Sequence, residues 1–194
     1  MVDRNAIIKE AVNSHLQVVN SFDENFVSSI DSVAIELFSC FERGNKVLIC
    51  GNGGSAADAQ HISAELVGRF VKERKPLPCI ALTTDTSAIT AIGNDYDFHT
   101  IFERQVEALV NEYDLVIGIS TSGNSKNIIN AIEKANSLNC KTVSLTGRDG
   151  GVLKDISHFN INIDSMITAR IQESHILVGH ILCEIIDNYY VISR

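Results

Sequence analysis

Two stretches of this 194-residue chain concentrate groups suited to holding an anion. The first, Gly51-Asn52-Gly53-Gly54-Ser55-Ala56, lies between an apolar run and a helical pattern, so its glycines let the backbone approach a ligand while the helix turns free N–H groups toward it. The second, Ser120-Thr121-Ser122-Gly123-Asn124-Ser125, supplies neutral hydroxyl donors able to surround phosphate oxygens, and Lys126 can add charge. Either stretch alone also reads as a turn with a helix cap. Together on one sheet edge they favour phosphate. A P-loop is excluded, because neither stretch ends in Gly-Lys-Ser/Thr. Gly51, Gly53 and Ala56 do satisfy a dinucleotide fingerprint, with Asp85 as a ribose acceptor, but that reading leaves the serine-rich stretch unexplained.

A second kind of chemistry is carried by His61 and Glu65, four residues apart and therefore on one helix face. Such a pair can hold a metal ion or a substrate, and it also occurs as a plain surface hydrogen bond. Its position, within two turns of the glycine stretch, favours a site. Polar partners occur in the last apolar segment, where Gln172, Glu173, His175, His180 and Glu184 interrupt Ile171, Ile176, Leu177, Val178, Ile181 and Leu182. A buried histidine there must be satisfied by a hydrogen bond or a metal, and His175 fits the hydrogen-bonded case. Gln172 and His180 stand about 12 Å apart along an unbroken helix and about 80° around it. If both serve one site, side-chain reach or a second subunit must close the gap, which points to a homo-oligomer with sites at subunit boundaries.

The elements that must position these groups follow from apolar period. Residues 1–44 read as a helical extension, with Ile8, Val12, His15 and Val19 on one stripe and Phe26, Ile30, Val33 and Phe38 on another, ended by Gly44. Residues 45–194 then alternate short β-branched runs, at Lys46 to Cys50, Pro78 to Leu82, Leu115 to Ser120, Lys141 to Leu145 and Phe159 to Ile163, with segments of helical period. Near-continuous apolar strands imply a parallel sheet buried on both faces between helices. A final helix starts at Ser165 or Thr168 and runs through Ile171, Val178, Leu182, Ile185 and Tyr189. One domain over 1–194 is the economical reading.

The composition is that of a globular protein, with 45% apolar and 21% charged residues, which excludes disorder and collagen-like repeats. A net charge of −8 opposes nucleic-acid binding, and the basic run Lys72-Glu73-Arg74-Lys75 reads as a solvated connector. No apolar run approaches the roughly 20 residues of a membrane span, and the N-terminus does not read as a signal peptide, so the expected address is cytoplasmic. Five cysteines without a Cys-x-x-Cys pair read as core thiols.

The segments Gly51 to His61, Gly93-Asn94-Asp95, Ser120 to Ser125 and Ala169-Arg170-Ile171-Gln172-Glu173, in this order, resemble the bacterial phosphoheptose isomerases of the sugar isomerase (SIS) class over nearly the whole chain. The resemblance implies an α/β fold of three layers, a five-stranded parallel sheet flanked by helices in flavodoxin-like order, behind an N-terminal helical extension. It implies interconversion of sedoheptulose 7-phosphate and D-glycero-D-manno-heptose 7-phosphate, an entry to nucleotide-activated heptose for surface polysaccharide, by a cytoplasmic homotetramer. Carried onto this chain, the acid/base pair falls on Glu65 and His180. One zinc ion per subunit falls on His61, Glu65, Gln172 and His180. Substrate contacts fall on Asn52, Gly53, Gly54, Ser55, Glu65, Asn94, Asp95, Ser120, Thr121, Ser122, Ser125 and Gln172. Asp97 departs from the pattern, where glycine is expected. The alternative is the DnaA initiator-associating protein, a non-enzymatic relative with a similar sheet and loops, which lacks the carboxylate and histidine that Glu65 and His180 supply here. A sugar-phosphate-sensing regulator is a third reading, without a DNA-binding extension to support it.

Overall fold

The computed structural model describes residues 2–192. Two helices lead, α1 (Arg4–Asn20) and α2 (Glu24–Glu42), each started by an aspartate whose carboxylate accepts a backbone N–H, Asp3 from Ala6 and Asp23 from Phe26. Gly44, at φ +79°, then turns the chain into β1 (Val47–Gly51). From there the chain alternates: α3 (Gly54–Val67), β2 (Cys79–Ala81), α4 (Thr86–Asp95), a 3-10 turn (Phe98–Thr100), α5 (Glu103–Leu109), β3 (Leu115–Ser120), α6 (Lys126–Ser137), β4 (Lys141–Gly147), α7 (Gly151–Ile156), β5 (Phe159–Ile163) and α8 (Thr168–Ile192). All five strands are parallel in the order β2-β1-β3-β4-β5.

β1 and β3 are buried throughout, as an apolar run between two helical layers must be. Alternation sends Val47 and Ile49 into a core shared with α2, α3 and α8, while Leu48 and Cys50 enter a second core with α5 and α6. All five cysteines are buried free thiols, as the sequence suggests. The final helix begins at Thr168, the later of the two expected starts.

One expectation is corrected and two apolar stripes are refined. The stripe through Ile8, Val12, His15 and Val19 does not enter the core: only Val18 of α1 is buried, and Ile8 and Val12 are 61% and 53% exposed. α1 contacts the rest of the chain mainly along α8, so among the described residues of one chain nothing covers its outer face. α8 runs through Ile171, Val178, Leu182, Ile185 and Tyr189 as expected; Ile185 and Tyr189 are half-buried against the core, beside fully buried Ile186 and Tyr190. Finally, Lys72 to Lys75 is no solvated connector. Arg74 is 3% exposed and ion-paired with buried Asp187 at 2.6 Å, Lys72 Nζ donates to Asn188, and Lys75 lies over the Tyr190 ring.

Candidate active site

The strand order puts β1 beside β3, and the chain leaves β1 toward β2 on one side but leaves β3 toward β4 on the other. A crevice therefore opens at the carboxyl ends of these two strands, where the glycine loop and the serine loop stand. Both loops have the geometry that glycine alone allows. A Cβ on Gly51 would fall 2.4 Å from the Ser55 carbonyl oxygen, and one on Gly123, at φ +66°, would fall 1.9 Å from the Gly150 carbonyl oxygen.

The helices these loops feed, α3 and α6, have no side-chain cap, whereas α1, α2 and α4 are capped by Asp3, Asp23 and Asp85. A carboxylate cap on α3 or α6 would compete with an anionic ligand for the same N–H groups and the same dipole. Ser125 is the residue that would cap α6, but its Oγ pairs with Ser120 Oγ at 2.9 Å, and Ser122 Oγ accepts the Asn124 N–H. Ser120, Ser122 and Ser125 thus cluster beside the start of α6, with Thr121 half-exposed among them. Asn52 is locked to Asn127 by two reciprocal amide hydrogen bonds of 2.9 and 2.8 Å, joining the two loops. Asn127 is 2% exposed, and the sequence reading missed it because nothing in its spacing separates it from an ordinary helix residue.

Beyond the glycine loop, α3 and α8 run side by side. The Gln172 amide rests on Gly54, so a Cβ there would meet its Nε2 at 2.5 Å. Further along, Gly179 lies against Ile62, where a Cβ would meet Cδ1 at 2.6 Å. Glycine at 179 lets the helices approach closely, and the residues flanking that contact meet: His61 Nε2 lies 2.9 Å from His180 Nε2 and 3.4 Å from Glu65 Oε1. The Phe70 ring also stacks on His180, with centroids 5.3 Å apart. Asp58 shares the α3 face of His61 and Glu65. Burial raises its carboxyl against the opposing pull of nearby His61, and among the described residues its Oδ2 has no hydrogen-bond partner. It too was missed, being one acid among 24.

Among the described residues no three His, Cys, Asp or Glu side chains are grouped so as to hold a metal ion as they stand. The donors around His61 nevertheless suit zinc chemically, being two imidazole nitrogens and a carboxylate oxygen. Their 2.9 and 3.4 Å separations bracket the roughly 3.3 Å between donors of a tetrahedral ion with bonds of about 2.0–2.1 Å.

Other expected residues lie apart. Gln172 is with Gly54 rather than with His180. Asn94 and Asp95 are exposed at the end of α4, bonded to each other at 2.8 Å. Asp97 needs no glycine-like backbone: its φ of −159° is extended, and its carboxylate caps the following turn through the His99 N–H. Asp85 caps α4 by accepting from the Ala88 N–H at 2.9 Å, which leaves the dinucleotide reading without its ribose acceptor. His175 is buried, with Nε2 2.9 Å from the Thr146 carbonyl oxygen, and desolvation holds its pKa down at about 4.

With this geometry in view, the similarity to known proteins is specific. The SIS domain profile matches residues 12–147. The phosphoheptose isomerase of Aliarcobacter butzleri is 53% identical over 185 residues, covering 95% of this chain and 97% of the relative. That of Aquifex aeolicus is 54% identical over 180 residues, covering 93% and 94%. The solved phosphoheptose isomerase from Francisella tularensis superposes with a TM-score of 0.89 at 40% identity, covering 97% of this chain and all of the other. The chain belongs to the phosphoheptose isomerase family of SIS domain proteins.

Proposed function

We infer that this protein is an aldose–ketose isomerase that interconverts sedoheptulose 7-phosphate and D-glycero-D-manno-heptose 7-phosphate through an enediol. The observation that carries this reading is the meeting of Glu65, His61 and His180 next to two loops built for an anion, in a chain of this family. Moving a carbonyl between C2 and C1 takes a proton from one carbon and returns it to its neighbour, so an acid and a base must straddle the two. Glu65 carries the carbon-bound proton, and His180 moves a proton between the two oxygens. Asn52, Gly53, Gly54, Ser55, Ser120, Thr121, Ser122 and Ser125 hold the distant phosphate, and its binding energy positions the reacting end. Asn94, Asp95 and Gln172 contact the sugar.

His61, Glu65, Gln172 and His180 would hold one zinc ion, which when bound would supply a Lewis acid for the carbonyl oxygen. Because the Gln172 amide lies against Gly54 rather than beside His180, the site in this reading is completed in a homotetramer at subunit boundaries. The uncovered apolar face of α1 supports that assembly. The cytoplasm is the setting that the family resemblance implies; no helix of the described residues is long and apolar enough to cross a membrane. The heptose phosphate would enter surface polysaccharide such as lipopolysaccharide. The initiator-binding alternative is not favoured, because both Glu65 and His180 are present and converge.

The test is turnover of sedoheptulose 7-phosphate by the purified protein, followed by NMR after chelation and again after adding zinc. Aldose appearing supports the isomerase, and activity lost and then recovered with zinc supports the metal. A folded protein with no turnover in any condition would overturn the assignment and turn attention to partner capture.

A further inference from the structure

The segment between α3 and β2 contains the most completely satisfied buried ion pair in the site's neighbourhood. The Arg74 and Asp187 side chains are each 1% exposed. Arg74 Nε donates to Asp187 Oδ1 at 2.6 Å, its Nη1 donates to the Leu66 carbonyl at 2.9 Å and the Lys75 carbonyl at 3.1 Å, and its Nη2 donates to the carbonyl of Glu65 at 2.8 Å. The other Asp187 oxygen accepts the Val71 and Lys72 N–H groups at 2.7 and 2.8 Å.

One part of this arrangement is local. The last carbonyls of a helix lack intrahelical partners, and α3 has no basic residue in its own last turn, so Arg74 reaches back to serve them. Capping alone would not call for a buried ion pair, which costs desolvation and is rarely more stable than apolar packing. What the pair adds is register. Asp187 lies seven residues after His180, two turns along α8 on nearly the same face, and one rigid guanidinium bridges that face to the backbone of Glu65. The segment after α3, a strap held to Asp187 through the Val71 and Lys72 N–H groups, also carries Phe70, whose ring stacks on the His180 ring that His61 contacts.

We propose that Arg74 and Asp187 form a positioning pair that sets Glu65 and His180 in their working relation, with Phe70 as the contact through which the strap holds the imidazole. This rests on the roles given to Glu65 and His180 above. Arg74→Lys keeps a charge for Asp187, but a single ammonium cannot span the carboxylate and the Glu65 carbonyl together. Displacing the pair by about 1 Å should lower kcat about 100-fold while KM stays within about twofold, since the phosphate loops are untouched. Phe70→Leu, at a half-buried ring, should fold normally and show the same split. Glu73→Gln, with a side chain 83% exposed, should change neither.

The assay is steady-state turnover well below each variant's melting temperature, paired with NMR of the His180 ring in protein carrying 13C-labelled histidine. The expected result is a fall in kcat at near-constant KM, with a shifted His180 signal, in Arg74→Lys and Phe70→Leu. Folded variants with kcat within about threefold of wild type and an unmoved His180 signal would overturn the proposal, as would a rise in KM at unchanged kcat. If Arg74→Lys does not fold, Phe70→Leu decides. If the wild type does not turn over the substrate, the functional reading fails and the His180 signal alone decides the positioning claim.

Discussion

Gly179→Ala should damage catalysis far more than it damages the fold. A Cβ at this position would stand 2.6 Å from Ile62 Cδ1 and 2.8 Å from Ile62 Cγ1. Carbon atoms rest about 3.5–4.0 Å apart, so Ile62 or α8 must yield by about 1 Å. Ile62 is 4% exposed and packed in the larger core, which leaves its side chain little freedom. The movement therefore falls on the flanking pair, His61 and His180, whose nitrogens are 2.9 Å apart. Alanine in a helix interior gains about 1 kcal/mol over glycine, while overpacking costs about 1–3 kcal/mol, so net destabilisation of up to about 2 kcal/mol leaves the protein folded. A displacement of about 1 Å at the acid/base pair is worth about 100-fold in kcat, and KM should barely change because the phosphate loops are remote. Ile62→Ala removes both struck atoms, so the double variant should be more active and more stable than the two single changes predict by addition. The measurement is kcat, KM and a thermal melt for all four members of the cycle. Wild-type kcat in Gly179→Ala, or strict additivity in the double variant, would refute the reasoning.

Other outcomes are equally specific. Glu65→Gln is nearly isosteric and should abolish turnover while leaving the melting temperature within a few degrees; substantial residual activity would remove Glu65 from its role. Ser125→Ala deletes a hydroxyl assigned to the phosphate and should raise KM about 10-fold or more, the worth of a hydrogen bond to a charged group, with kcat less affected; an unchanged KM would argue for a purely structural serine loop. Burial holds His175 at about 4 in the fold against 6.5 in the unfolded chain, so the unfolded chain takes up the proton first. Its contribution should be complete above pH 6.5 and fall by about 3 kcal/mol at most as pH drops toward 4, and denaturant titrations of His175→Gln should show a flatter dependence in that window. Asp85→Ala should cost about 1 kcal/mol, the worth of a helix cap, with no change in KM, whereas an Asp85 that touched ligand would raise it.

Much of this protein is written locally in its sequence. The five β-branched runs fall on the five strands, because an apolar run of this length can be satisfied only between two helical layers. The glycine and serine loops were legible because φ above zero, close backbone approach and clustered hydroxyls each demand particular residue types at fixed offsets, as at Gly123 and Ser125. His61 and Glu65 were legible because four residues make one helical turn.

What local pattern could not supply is anything that depends on distance across the chain. That His180 rather than His175 reaches His61 follows from Gly179 closing on Ile62, 117 positions apart in sequence. Asn127 gained meaning only when α6 came against the glycine loop, and Arg74, one of four residues in an unremarkable basic run, only when α8 brought Asp187 to it. The apolar stripe of α1 has helical period, yet that face of the sheet is already covered by α2, α3 and α8. Period records that a face is apolar, and only the packing of the whole chain determines what, if anything, covers it.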